Sequence, residues 1–277
     1  MVKRIFSLNF FDSFINGAVT VAIPLLMLEK GIGIETIGLV FAIAPLARVA
    51  VRIGSAALAD QIGERVFYFL NAASNLVQSL CYLLFQTPAG FMAGKALDGA
   101  QDSFIWAVNR SSIMAREPGK GHFVLGNMIG GREVYFALGS LAVALMVPLA
   151  GYGALFLAAA IISLVMLWMS LGVGNTHRRQ SMMLSDLTML GRRRTFYETA
   201  AAMTLGTAFY SVILYLLVPL FLGMAGFSLL QIGMLFAAYF LIFGIVLHFA
   251  SQRGYGTQPA AILGAALPYT APIGQKS

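Results

Sequence analysis

Scarcity bounds this sequence first. Charge is scarce: Asp, Glu, Lys and Arg make up 10% of the 277 residues, against about 25% in an average soluble domain. Cys81 is the only cysteine, so no disulfide can form within the chain. It lies in an apolar run, where a small buried hydrophobe is its ordinary role. The three histidines, His122, His177 and His248, are not spaced as a metal-ligating pair. No glycine-rich phosphate loop follows a strand pattern, and there is no nucleophile elbow and no Cys/His cluster with ligand spacing. A hydrolase or oxidase working inside a membrane would need such a constellation. An enzyme is therefore not expected, nor is a cofactor or a metal site.

Apolar sequence is what the chain has in excess. Hydrophobic residues make up 59%, and mean hydropathy is +0.82. A spanning helix needs about 20 mostly apolar residues. That rule picks out eight segments, at about 5–28, 35–58, 66–86, 89–112, 122–148, 154–173, 199–222 and 229–250. A ninth, at about 259–275, is weaker and interrupted by Pro268 and Pro272. The apolar run after Lys3-Arg4 continues to Met27, too long for a cleaved signal, and reads as a first membrane helix. The expectation is an all-α, polytopic membrane protein.

The basic residues are placed as topology signals. With the N-terminus inside, the inner loops hold Lys3, Arg4, Arg65, Arg110, Arg116, Lys120, Arg178, Arg179, Arg192, Arg193, Arg194 and Arg253. The outer side holds Lys30 and, beyond the ninth segment, Lys276. This bias puts the N-terminus in the cytoplasm and accounts for the net charge of +7. Nucleic acid is not an expected partner, because aromatics are not interleaved with that charge.

One connection stands apart. Gly174 to Glu198 is polar and basic, with His177-Arg178-Arg179 and Arg192-Arg193-Arg194 flanking an amphipathic stretch from Met182 to Leu190. It reads as a cytoplasmic linker on the membrane surface, where basic residues favour anionic headgroups. It divides the chain into a six-helix bundle at 1–173, the linker at 174–198 and a second, incomplete bundle at 199–277. An internal repeat supports two bundles: Gly31-Ile-Gly-Ile-Glu-Thr-Ile-Gly38-Leu-Val-Phe41-Ala42 parallels Gly226-Phe-Ser-Leu-Leu-Gln-Ile-Gly233-Met-Leu-Phe236-Ala237.

Charge inside the spanning segments is costly and usually functional. Those segments contain Asp12, Arg48, Arg52, Lys95, Asp98, Asp102, Arg132 and Glu133. Four are acidic and four basic, so the set can be neutral. They fall only on the first, second, fourth and fifth segments, which marks the third and sixth as lipid-facing. At about 1.5 Å per residue, Asp12 and Arg52 lie at one depth, which allows them to pair as an inner gate or proton site. Arg48, Arg132 and Glu133 fall near the midplane, and Lys95 and Asp98 in the outer third. Asp12, Asp102 and Glu133 are the candidate proton carriers. Locking the bundle together is the plainer role open to all eight charges.

Between the second and third segments runs Leu58-Ala59-Asp60-Gln61-Ile62-Gly63-Glu64-Arg65. It resembles the loop signature G-x-L-a-D-R-x-G-R-R of the major facilitator superfamily. Leu58, Ala59, Asp60, Gly63 and Arg65 match; Ala56, Gln61 and Glu64 depart from it. Lys95-Ala-Leu-Asp98-Gly99 stands where that family has its fourth-helix arginine. The Gly-Pro motif of the antiporter subset is missing from the fifth segment. The resemblance covers about residues 5–250 and implies a secondary transporter of the plasma (inner) membrane. It would move a small-molecule solute by alternating access, with a proton as candidate coupling ion. It also implies that helices one, two, four and five line the first half of the cavity. Asp60, Gly63 and Arg65 then form a conformational loop. Arg48, Asp102, Arg132 and Glu133 are the substrate-site expectation. Family members usually have twelve helices, which leads to the expectation of a C-terminally truncated product or an incomplete sequence. The alternative function is a transport-incompetent remnant, or a membrane scaffold acting through its basic linker.

Overall fold

The computed structural model describes residues 2–117, 119–175, 205, 209 and 211–252, apart from the side chains at 53, 56, 57, 60 and 122. Every regular element among them is helical: α1 Val2–Glu29, α2 Ile34–Ile62, α3 Glu64–Leu84, α4 Pro88–Arg116, α5 Gly121–Ser170, a π-helical stretch Ser211–Leu217, α6 Val218–Met224 and α7 Leu229–Gln252. α5 breaks at Gly151, whose φ of +79° and ψ of 170° split it into two arms. The arms correspond to the fifth and sixth apolar segments. The linker from residue 176 onward and the ninth segment lie outside the described residues.

Among the described residues, length and composition qualify four stretches to cross a membrane: Val2–Glu29, Ile34–Arg52, Phe123–Ser170 and Leu229–Ser251. α3 and α4 are long enough but too polar to be among them. Their polarity has a structural cause, because their polar faces turn inward. α3 buries Asn71, Asn75, Gln78 and Ser79 while it exposes Phe69, Val77, Leu80 and Leu84. This corrects the assignment of the third segment to lipid alone: its outer face is apolar, and its inner face supplies amides to the bundle. The second arm of α5 presents Leu157, Ile161, Leu164 and Trp168 outward, as expected of a lipid-facing helix.

α1 is apolar nearly all round, and such a helix belongs at the centre. It is buried over most of its length, from Ile5 to Met27. Small residues let helices approach closely where lipid supplies no hydrophobic drive. A Cβ at Gly17 would strike the Phe136 carbonyl, and one at Gly139 the Phe14 carbonyl, so α1 and the first arm of α5 cross in near contact. α2 meets α4 at Gly99, against the Ala44 carbonyl. α7 meets α5 at Gly130 and Gly244, each beside the other's carbonyl oxygen. α3 packs on the second arm of α5 through Tyr82 and Phe156, with ring centroids 5.6 Å apart.

The repeat has a conformational counterpart. α1 ends where Ile32 N–H donates to the Met27 carbonyl at 3.0 Å, with Gly31 at φ +71°. α6 ends in the same way: Phe227 N–H donates to the Leu222 carbonyl at 3.0 Å, with Gly226 at φ +84°. Both are six-residue caps that need a left-handed residue, which glycine supplies without a Cβ clash. Equivalent glycines thus close equivalent helix ends before α2 and α7.

Candidate functional site

The polar centre of the bundle is built on Asp12, which has no exposed surface. Helical spacing places Asn9, Asp12 and Asn16 on one face of α1, and that face meets α3, α4 and α5. Asp12 Oδ2 lies 3.1 Å from Arg132 Nη2 and accepts from Asn16 Nδ2 at 3.3 Å. Its Oδ1 accepts from Asn71 Nδ2 at 2.8 Å and Asn75 Nδ2 at 3.0 Å, both on α3. A buried carboxylate loses several kcal/mol of hydration, which a cation and well-placed donors must offset. Four donors here converge on one side chain.

Arg132 is held as closely. Its Nη1 donates to Asn9 Oδ1 at 2.9 Å, its guanidinium stands 5.0 Å over the Trp106 ring, and its carbonyl accepts from Ser13 Oγ at 2.6 Å. Asn9 and Asn109 exchange amide hydrogen bonds at 3.0 and 2.6 Å, and Tyr68 Oη donates to Asn109 Oδ1 at 2.9 Å. In the other direction, Gln101 Nε2 donates to Asn16 Oδ1 at 2.6 Å and to Asp98 Oδ1 at 3.3 Å. Asp98 pairs with Lys95 at 2.8 Å, and Lys95 lies 4.5 Å over the Phe41 ring. One connected polar ladder therefore runs along the bundle from Tyr68 to Lys95.

The remaining charges form a second cluster. Arg48 Nε lies 3.0 Å and Arg52 Nη2 3.8 Å from Asp102 Oδ2. This overturns the expected Asp12–Arg52 pair. Equal depth along the membrane does not fix the direction in which a side chain points: Asp12 turns to α3 and α5, Arg52 to α4. Glu133 makes no hydrogen bond or ion pair among the described residues and sits against Gly244 of α7. Of the eight intramembrane charges, the structure joins Asp12 with Arg132, Lys95 with Asp98, and Arg48 and Arg52 with Asp102, and leaves Glu133 at the α5–α7 crossing.

The charged loop is built differently from the signature it resembles. Gly63, at φ +92°, reverses the chain between α2 and α3. Glu64, which stands where the signature has an arginine, is buried and pairs with Arg116 at 2.6 Å. Arg116 also donates to the Ser112 carbonyl at 3.0 Å and the Gly174 carbonyl at 2.6 Å. Asn175 Oδ1 accepts from the Arg65 backbone N–H at 3.0 Å, and Arg4 donates to the Gly172 carbonyl at 2.5 Å. The Arg65 residue itself is exposed, and the Asp60 side chain lies outside the described set. Residues 172–175 are thus fastened to α1, α3 and α4 at the end of the bundle that holds the N-terminus.

A census of charges misses Asn71, Asn75, Gln101, Asn109, Tyr68 and the Glu64–Arg116 pair. The available signal is amide side chains three or four residues apart on otherwise apolar helices, as in Asn71-Asn75 and Asn9-Asp12-Asn16. Residues 5–274 of the chain match the family model described as Major Facilitator Superfamily. The match runs past residue 250, where the resemblance legible in the sequence fades. No curated protein matches the chain.

Proposed function

This chain belongs to the Major Facilitator Superfamily, a family of membrane transporters, and from that premise we propose that it moves a small solute by alternating access as a secondary transporter. It is an integral membrane protein. In the proposed arrangement it has eight or nine spans in two bundles joined by the linker at 174–198, with its N-terminus in the cytoplasm and its place in the plasma (inner) membrane. The lysine and arginine bias supports that orientation, and the matched caps at Gly31 and Gly226 support the repeat from which two bundles would be made.

One observation carries the reading: charge inside an apolar bundle is sorted into a sealed part and an accessible part. Arg132 and Asp12 are 9% and 0% exposed, whereas Arg48, Arg52 and Asp102 are 19%, 36% and 16% exposed. The sealed pair, gripped by amides, holds the bundle. The accessible cluster is the place for a solute, at Arg48, Arg52 and Asp102. Glu133, at the α5–α7 crossing and outside any ion pair among the described residues, is the candidate for a coupling proton. Asp60, Gly63 and Arg65 act on conformation and do not touch the solute.

Reconstitution tests this. Proteoliposomes with the 277-residue chain are expected to show saturable flux of at least one solute from a panel of anions, cations and neutral compounds. Arg48→Gln should lower that flux at least tenfold, the scale of one charge-assisted hydrogen bond, with reconstitution efficiency unchanged. Absence of flux across the whole panel overturns the reading.

A further inference from the structure

The polar stripe of α3 reaches further than the network around Asp12 needs. Asn71, Asn75, Gln78 and Tyr82 follow one another at intervals of four, three and four residues, so they share one face. Each is at most 1% exposed, as is Gln101 on the neighbouring α4. The amide nitrogens of Asn71 and Asn75 are committed to Asp12 and to the Gln101 and Asn71 carbonyls. Asn71 Oδ1, Asn75 Oδ1, Gln101 Oε1, both polar atoms of the Gln78 amide and Tyr82 Oη have no hydrogen-bond partner among the described residues. Gln78 and Tyr82 are one turn apart, but a bond from the Tyr82 hydroxyl to Gln78 Oε1 would leave both Gln78 amide hydrogens and the other three oxygens unserved.

The surrounding helices hold this stripe inside. A Cβ at Gly94 of α4 would strike the Tyr82 ring, and the Phe91 and Phe156 rings lie 6.1 and 5.6 Å from it between centroids. The ring is thus seated within the bundle, and its hydroxyl with it. Buried polar groups carry partners, because leaving them bare forfeits their hydration, and hydrocarbon offers none. The partner here must accept from Gln78 Nε2 and donate to four amide oxygens. A metal ion or an ammonium group cannot do the first, and a carboxylate or phosphate ion cannot do the second. Water does both, fits between packed helices, and ordinarily joins two to four buried polar groups.

We infer that a file of bound water molecules occupies the seam between α3 and α4. It runs from the Asn71 and Asn75 amides beside Asp12 to Tyr82, close to the end of α3 at Leu84. It completes the hydrogen bonding of the stripe. It also gives the sealed Asp12–Arg132 pair a hydrated route to the end of the bundle opposite the N-terminus, separate from the Arg48–Asp102 cluster. The inference does not depend on flux.

X-ray radiolysis of the full chain in nanodiscs tests it, because hydroxyl radicals formed from bound water mark the side chains beside that water. A scavenger of bulk radicals is present throughout. Tyr82 should be labelled although it has no exposed surface, whereas Phe240, equally buried among Phe136, Phe236 and Tyr239, should not. Heavy-oxygen water mixed in before the pulse should appear in the Tyr82 label. Gln78→Leu removes two of the orphaned atoms and should cut Tyr82 labelling about tenfold, the scale of one lost hydrogen bond. It should also lower Tm, and Gln78→Met, which is unbranched, should act in the same way. Tyr82 as unlabelled as Phe240 overturns the inference, whatever the variants do. So does labelling unchanged in both variants, or a raised Tm in either, since removing a bare amide from a dry seam stabilises. A label without heavy oxygen overturns the route to the bundle's end. If Tyr82 labelling changes when choline replaces sodium in the buffer, a cation occupies the seam, and the inference fails.

Discussion

At the scale of single residues, Asp12 and Arg132 each exist to neutralise the other. Asp12 has no exposed surface, and among the described residues Arg132 supplies its ion-pair contact, at 3.1 Å. Removing one partner of a buried pair leaves an uncompensated charge and costs about 3–5 kcal/mol, whereas replacing both can be nearly neutral. Arg132→Gln should therefore fold poorly, with a markedly lower Tm in detergent, while Asp12→Asn combined with Arg132→Gln should regain most of the loss. Equal stability of the single and double variants would show that the two side chains are not coupled. Part of this site is legible in the sequence, which shows all eight charges and, by helical spacing, puts Asn9, Asp12 and Asn16 on one face. The partners were not legible, for a physical reason. Depth follows from counting residues at a fixed rise, but direction around the helix axis depends on how neighbouring helices are rotated. Asn71 and Asn75 were invisible to a census of charge because amides are neutral, although their two hydrogen bonds to Asp12 Oδ1, at 2.8 and 3.0 Å, are as short as its ion pair.

At the scale of elements, the crossing of α5 and α7 is set by missing side chains. Gly130 and Gly244 face each other, with a Cβ at Gly244 only 2.8 Å from the Gly130 carbonyl. Further along, Ser251 Oγ donates to Asn127 Oδ1 at 2.9 Å. Gly244→Leu would place a side chain where backbone now lies, and overpacking of this kind costs about 1–3 kcal/mol. α7 should then separate from α5. In a Cys81→Ala background, cysteines at Asn127 and Ser251 should cross-link readily with Gly244 intact and fall to background with Gly244→Leu; persistence of the cross-link would mean that the crossing tolerates bulk. The helices among the described residues fall where the sequence has long runs of low charge, and the gap between the fifth and sixth segments marks the break at Gly151. The inner face of α3 could not be read in the same way. Its polar stripe has the pattern of a surface helix in water, and only the bilayer outside and Asp12 inside invert that pattern.

At the scale of the whole molecule, the loop between α2 and α3 is tied to the end of the first bundle. Glu64 and Arg116 form a buried pair, and Arg116, Arg4 and Asn175 hold residues 172–175, from which the linker departs. A contact biases a conformational equilibrium only by the difference it makes between states. On the proposed reading, the bundles rock about the midplane, and a clasp at one end is closed in one state and strained in the other. Glu64→Gln keeps the side chain's shape and removes its charge. Arg116 keeps the Ser112 and Gly174 carbonyls and sits at the end of the bundle, where water can reach a guanidinium that has lost its counter-ion, so the cost should be smaller than for Arg132→Gln and the fold should survive. A shift of about 1.4 kcal/mol between two states changes their ratio tenfold. Glu64→Gln should therefore reach the membrane at normal levels while its initial rate of transport changes by about that factor. Asp60→Ala, in the same loop, should likewise insert normally and lose transport. Membrane abundance and uptake measured on the same cells separate the outcomes. Normal uptake in both variants would remove the loop from the transport cycle, and loss of the protein from the membrane in Glu64→Gln would make the pair with Arg116 a requirement for folding.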